Sequence, residues 1–141
     1  MNIRTQNGKQ YVLCGWRRKY VRLTPEENVR QTILQWLVEE HQYPRHLIAV
    51  EVPIKVGSTK KRCDAIVYSR EMQPLMLIEF KAPSVPITQE VFDQAAIYNR
   101  QLNVPLLMLC NGQNIILAQV TQEEYQYLPA IPAYEALKQN S

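Results

Sequence analysis

The stretch Leu75-Met76-Leu77-Ile78-Glu79-Phe80-Lys81 begins as an unbroken apolar run and ends on two opposite charges. A run that is apolar on both faces reads as a central strand covered on either side. Glu79 and Lys81 lie two residues apart, so they share a face about 7 Å apart along the strand, and Phe80 takes the other. A charged pair at the end of a buried strand costs desolvation unless the charges serve something.

Upstream, Arg62–Tyr68 reads as a neighbouring strand, joined to the first through the polar Ser69–Pro74 turn. If that turn is symmetric, Asp64 stands opposite Glu79 with Cβ atoms roughly 5 Å apart on one face. Everything hangs on that register, because a slip of one residue sends Asp64 to the opposite face. Two carboxylates so close repel each other, so either one is protonated or a cation lies between them. Carboxylate oxygens suit a divalent cation. Such a cation polarises a phosphoryl oxygen and acidifies a bound water. Lys81 would orient that water or counter charge building on the phosphate, and the Phe80 carbonyl is near enough to be a further ligand. This chemistry hydrolyses a phosphodiester. A Glu-x-Lys pair by itself is more often a solvated strand edge or a surface ion pair. The apolar run before it, the Asp across the turn and an amphipathic helix after it bring the hydrolytic site level with that plainer alternative.

Working outward, the first helix is signalled by Thr24 as N-cap, Pro25 in the first turn and Glu27 in capping-box position. Val29, Ile33, Trp36, Leu37 and Glu40 share one face, and Pro44 ends the helix after His41. His46–Val56 forms a strand that turns at Gly57-Ser58-Thr59. A second helix spans about Thr88 to Leu102, with Val91, Phe92, Ala95, Tyr98 and Leu102 on one face. Leu106–Cys110 and Ile115–Val120 flank Asn111-Gly112, a hairpin signal. Residues 1–10 read as a loose lead-in and residues 11–23 as a short hairpin with a basic turn at Arg17, Arg18 and Lys19. The tail, with Pro129 and Pro132, has room for one short helix. The order predicts an α/β fold: helix, three strands, helix, two strands, with a mixed central sheet flanked by helices.

The chain has 141 residues, 46% hydrophobic and 21% charged, which fits one globular domain over 1–141 and argues against disorder. No apolar run approaches the roughly 18 residues needed to cross a bilayer, and the polar opening MNIRTQNGKQ lacks a signal-peptide core. Cys14, Cys63 and Cys110 form no CxxC pair and read as free thiols of a soluble, cytoplasmic protein with no membrane partner. A net charge of +3 permits a nucleic-acid partner without requiring one.

An Asp, then a strand ending Glu-x-Lys, then a helix carrying Gln and Tyr resembles the PD-(D/E)xK superfamily of restriction-type nucleases. Leu23-Thr24-Pro25-Glu26-Glu27 with Val29-Arg30-Gln31, Lys61-Arg62-Cys63-Asp64, and Leu77-Ile78-Glu79-Phe80-Lys81-Ala82-Pro83 carry the likeness. Phe92-Asp93-Gln94-Ala95-Ala96 with Tyr98-Asn99, and Asn111-Gly112, complete it. In this ordered set the chain is similar to the N-terminal nuclease domain of type I restriction enzyme R subunits, over a core of about residues 18–120. The resemblance implies a restriction-endonuclease-like fold, Asp64 and Glu79 as ligands of Mg2+ (with Mn2+ able to substitute), Lys81 as catalytic, and Gln94 as an accessory polar residue. It also implies an acid from the first helix as a third metal ligand. Glu26 shares a face with Val29, Ile33 and Trp36 and is the slightly favoured candidate over Glu27, which already serves as the capping-box acid. Cys63 stands where the motif has Pro, and Gly57-Ser58-Thr59-Lys60 does not complete a Walker phosphate loop, so no ATP-driven motor is read here.

Lys60, Lys61 and Arg62 before Asp64, joined by Lys55, and Arg18 and Lys19 before the first helix, joined by Arg17 and Arg22, are candidate contacts for DNA phosphates; a solvated basic loop is the plain alternative. Gln94 also reads as an ordinary helix-surface amide, His41 and His46 as surface residues, and Trp36 as core. The leading expectation is a Mg2+-dependent DNA endonuclease. The rivals are a catalytically silent nucleic-acid-binding module and an assembly module that works inside a larger restriction or repair complex. A homodimer is also open, since single-domain nucleases pair to cut two strands.

Overall fold

The structure is a computed structural model, and it describes residues 1–137. Three strands open the chain: β1 (Ile3–Gln6), β2 (Lys9–Cys14) and β3 (Lys19–Arg22) form an antiparallel meander. Residues 3–10 therefore form a hairpin around the Asn7-Gly8 turn, not a loose lead-in. Ile3 pairs with Val12 and Gln6 with Lys9, across a turn in which Asn7 and Gly8 both have positive φ. All four β1 residues are exposed, so no buried face patterns the sequence there.

The helix α1 (Pro25–His41) follows as expected. The Thr24 hydroxyl accepts from the Glu27 amide, and Gln42 closes the far end in a left-handed conformation before Pro44. After a 3₁₀ turn at Arg45–Leu47, β4 (Ile48–Val56) and β5 (Thr59–Tyr68) form a hairpin. Its two-residue turn, Gly57-Ser58, needs positive φ at its first position, where Gly57 has 61°. Then come β6 (Pro74–Phe80), the helix α2 (Gln89–Leu102) capped by Thr88, β7 (Leu106–Cys110) and β8 (Ile115–Val120). A short strand β9 (Tyr125–Tyr127), not foreseen, adds to β8, and a one-turn helix α3 (Tyr134–Leu137) ends the described residues.

The six strands β4 to β9 lie side by side in chain order. Only β6 and β7 are parallel, joined through α2, so the sheet is mixed as expected. One face carries α1 and α3: Val29, Leu34, Leu37 and Tyr134 pack on Ala65, Val67, Ile78 and Phe80. The other carries α2: Phe92, Ala95 and Ala96 pack on Cys63, Ile66, Leu77 and Leu107. No helix among the described residues is long and apolar enough to cross a membrane.

The alternation of β5 breaks at the position that matters most. Cys63 lies with the α2-side core, as does Ile66, whereas Ala65 and Val67 lie with the α1-side core. The change of phase falls at Asp64. Across the hairpin, Val50 pairs with Ala65 and Val52 with Cys63, while Glu51 drops out of the ladder at φ 54°. Glu51 and Asp64 therefore face each other as an unpaired position in a ladder whose register is the same on either side, a local break at which both strands change phase.

The carboxylate pair and its cleft

The pairing of β5 with β6 reaches Ala65↔Ile78 and stops. Near the turn the register is shifted by one, with Tyr68 opposite Pro74; the irregularity between Val67 and Tyr68 restores the alignment that sets Asp64 beside Glu79. The Ser69–Pro74 turn is thus not symmetric, and the bulge supplies the register that symmetry was expected to give. Beyond Ala65 the Asp64 side chain replaces a ladder carbonyl: its Oδ2 accepts from the Phe80 amide at 2.7 Å. This bond fixes the Asp64 carboxylate next to the Glu79–Phe80 peptide.

Glu79 and Lys81 face the α2 side and line a cleft of about 290 Å³. Lys81 lies one residue past the end of β6, and its amide still donates to the Cys110 carbonyl at 2.8 Å. Its ammonium stands 3.5 Å from Glu79 Oε2, and that of Lys61 stands 3.4 Å from Glu79 Oε1. Lys61 also lies over the Tyr98 ring, 4.1 Å from its centre. Gln94 and Tyr98, one turn apart on α2, complete the wall with Glu90. A larger hollow of about 850 Å³ at the other end of the sheet, around Glu71, Gln119 and Gln122, contains no lysine and no paired carboxylates.

Burial pushes the Asp64 carboxyl up from the ordinary carboxylate range. The Phe80 amide opposes that rise, and the charge of Glu79 adds to it. A carboxylate pair under mutual repulsion, partly withdrawn from water, is a fitting donor set for a hard divalent cation. Mg2+ in particular takes one or two protein carboxylates and keeps several waters. No three His, Cys, Asp or Glu side chains gather into a metal site among the described residues.

Glu26, the slightly favoured third acid, does not point inward: it is exposed on the first turn of α1. The buried acid is Glu27, 5% exposed. The capping box is only half formed, because Thr24 accepts from the Glu27 amide while the Glu27 carboxylate turns inward instead. Arg17 donates to it at 2.6 Å, Gln31 at 2.9 Å, and Arg30 makes two further bonds. Burial alone would raise this carboxyl; the bonds from Arg30, Arg17 and Gln31 hold it at about 2. Arg30 also donates to Glu51 at 2.7 Å and to the Asp64 carbonyl at 3.2 Å. It therefore ties α1 to both strands at the break in the ladder. Sequence reasoning missed Arg30 and Glu51. The three-residue spacing of Glu27 and Arg30 on a helix was the one available signal for the former; a break in a strand ladder leaves none for the latter.

The basic candidates separate. Lys55, Lys60 and Arg62 are exposed on the β4–β5 hairpin, as are Arg18 on the turn between β2 and β3 and Lys19 at the start of β3. Arg17 is not a free surface cation but the partner of Glu27. Lys61 faces the cleft. His46 is exposed, while His41 is half-buried with its ring 4.4 Å from that of Trp36. Cys14, Cys63 and Cys110 are all free and buried. Burial, helped by the charges of Asp64 and Glu79 and opposed by that of Lys61, pushes the Cys63 thiol up to about 11, far from a reactive thiolate.

The architecture is a restriction-endonuclease-like fold. A fragment assigned as the HsdR subunit of a type I restriction enzyme from Vibrio vulnificus superposes with a TM-score of 0.62 at 20% identity, over 84% of this chain and 25% of that one. This chain thus spans a quarter of that fragment. A protein of DUF820 from Anabaena variabilis, assigned as a nuclease, superposes with a TM-score of 0.52 at 10% identity, over 96% of this chain and 87% of that one. No curated protein matches the sequence. Residues 25–132 match the family described as the type I restriction enzyme R protein N terminus, and the chain belongs to that family.

Proposed function

We propose that this chain is a Mg2+-dependent nuclease domain that hydrolyses DNA phosphodiester bonds. The observation that carries the reading is the Asp64 carboxylate fixed on the Phe80 amide beside Glu79, with the Lys81 ammonium 3.5 Å from Glu79 in the same cleft. Asp64 and Glu79 would hold the cation. When bound, it supplies Lewis-acid polarisation of the phosphate and acidifies a water. Lys81 offsets charge building on the phosphoryl oxygens. Gln94 and Tyr98 form the wall against which the sugar-phosphate chain would lie. Lys55, Lys60, Arg62, Arg18 and Lys19 would set the register of the DNA backbone through its phosphates. Family membership supports work inside a larger restriction complex, in a cytoplasmic setting where buried thiols stay reduced.

The test is a plasmid-nicking assay with Mg2+, wild type against Glu79→Ala. Mg2+-dependent nicking that disappears in the variant supports the reading; nicking that survives unchanged removes Glu79 from it. One observation favours the second reading, a binding or assembly module without turnover: two lysines already neutralise Glu79. Salt-sensitive DNA binding with no nicking in wild type would bring that reading forward.

A further inference from the structure

The phase break of β5 turns Lys61 into the cleft, although the surrounding Lys60 and Arg62 stay exposed. Its ammonium is held from two sides, by Glu79 Oε1 at 3.4 Å and by the face of the Tyr98 ring at 4.1 Å. Its side chain is 30% exposed and that of Glu79 20%, so the two charges meet in a half-buried place where screening is incomplete. Lys81 takes the other oxygen of Glu79. Each oxygen of the Glu79 carboxylate is thus matched to a different lysine. At these lengths both contacts are loose ion pairs and not tight hydrogen bonds, so a stronger cation can displace them.

We propose that Lys61 is the resident counter-ion of Glu79, held on the Tyr98 ring, which a divalent cation must displace to bind. The lysine then sets the metal concentration at which the site fills. Lys81, which reaches Oε2, keeps Glu79 in place during the exchange. This inference rests on the reading of Asp64 and Glu79 as one metal site.

The test is calorimetric titration with Mg2+ alone, on wild type, Lys61→Met, Lys61→Arg and Arg62→Met. Removing a unit charge about 3.4 Å from the carboxylate should tighten Mg2+ binding about tenfold in Lys61→Met, taking the water-like end of the dielectric range for a partly exposed pair. Lys61→Arg keeps the charge and should stay within about twofold of wild type. Arg62→Met removes a charge from the exposed face and should do the same. Thermal melts of each variant show whether it is folded. Binding in Lys61→Met alone, or tighter there than in wild type, supports the proposal. Equal or weaker binding in a folded Lys61→Met overturns it and leaves the metal site standing. Equal tightening in Arg62→Met also overturns it, since the effect would then be general charge. Absence of binding in wild type and in Lys61→Met overturns both the proposal and the metal-site reading.

Discussion

Replacing Glu27 with Gln tests the buried network that supports the site from behind. Glu27 is 5% exposed and its carboxyl is held at about 2, against an ordinary value of 4.5. A difference of that size corresponds to about 3 kcal/mol of stability at neutral pH. The sign follows from the depressed value. The contribution is present above the unfolded carboxyl range and is lost as pH falls from about 4.5 towards 2. Gln keeps the shape but removes the charge that faces Arg17 and Arg30, and leaving such partners unneutralised costs a similar amount. Urea unfolding of wild type and Glu27→Gln at pH 7 should therefore differ by about 3 kcal/mol, a large share of the roughly 5–15 kcal/mol expected of a domain. At pH 3 the gap should shrink to about half. A pH 7 gap under about 1 kcal/mol, or one that does not change with pH, would refute the assignment of Glu27 as a charged structural anchor.

Other outcomes follow from the same geometry. Asp64→Asn should stabilise the fold at pH 7: a carboxyl pushed up by burial and Glu79 favours its neutral form, and its contribution to stability is lost as pH rises, so the gain over wild type should fade in acid, measured by unfolding at pH 7 and pH 4. Lys81→Met should lower Mg2+-dependent nicking by about a hundredfold or more while leaving Mg2+ binding in place, read by nicking and calorimetry side by side. Glu51→Gly should be more stable than Glu51→Ala by about 1 kcal/mol in urea unfolding, since both lose the Arg30 pair but only Gly accepts φ 54° without strain.

What the residues announced in advance depended on whether a face was buried. The helix α1 was marked by Thr24 and Pro25, and β7 and β8 by apolar runs around Asn111-Gly112; their observed limits match the expected ones. The strand β6 was readable because both its faces are covered, and the Glu79–Lys81 end stood out against that apolar run. In contrast β1 is exposed throughout and β9 is three residues long, so neither leaves a hydrophobic period to detect. The neighbourhood of Asp64 and Glu79 followed from counting back through the Ser69–Pro74 turn, yet the structure reaches that alignment through a register shift between Val67 and Tyr68. Neither that shift nor the break in the ladder at Glu51 and Asp64 can be counted from sequence, and with them went the inward turn of Lys61 and the role of Glu51. Helical-face reasoning likewise favoured Glu26, because the inward pull on Glu27 joins Arg17, from the turn before β3, to Arg30 one turn along α1, and the Arg17 contact leaves no helical period to detect.

The most direct measurement is Mg2+ titration by calorimetry on wild type, Asp64→Asn and Glu79→Gln. If the two carboxylates form one site, wild type binds a single Mg2+ and each substitution removes or weakens that binding at least about tenfold while the protein stays folded. Binding that persists unchanged in both folded variants would contradict the account.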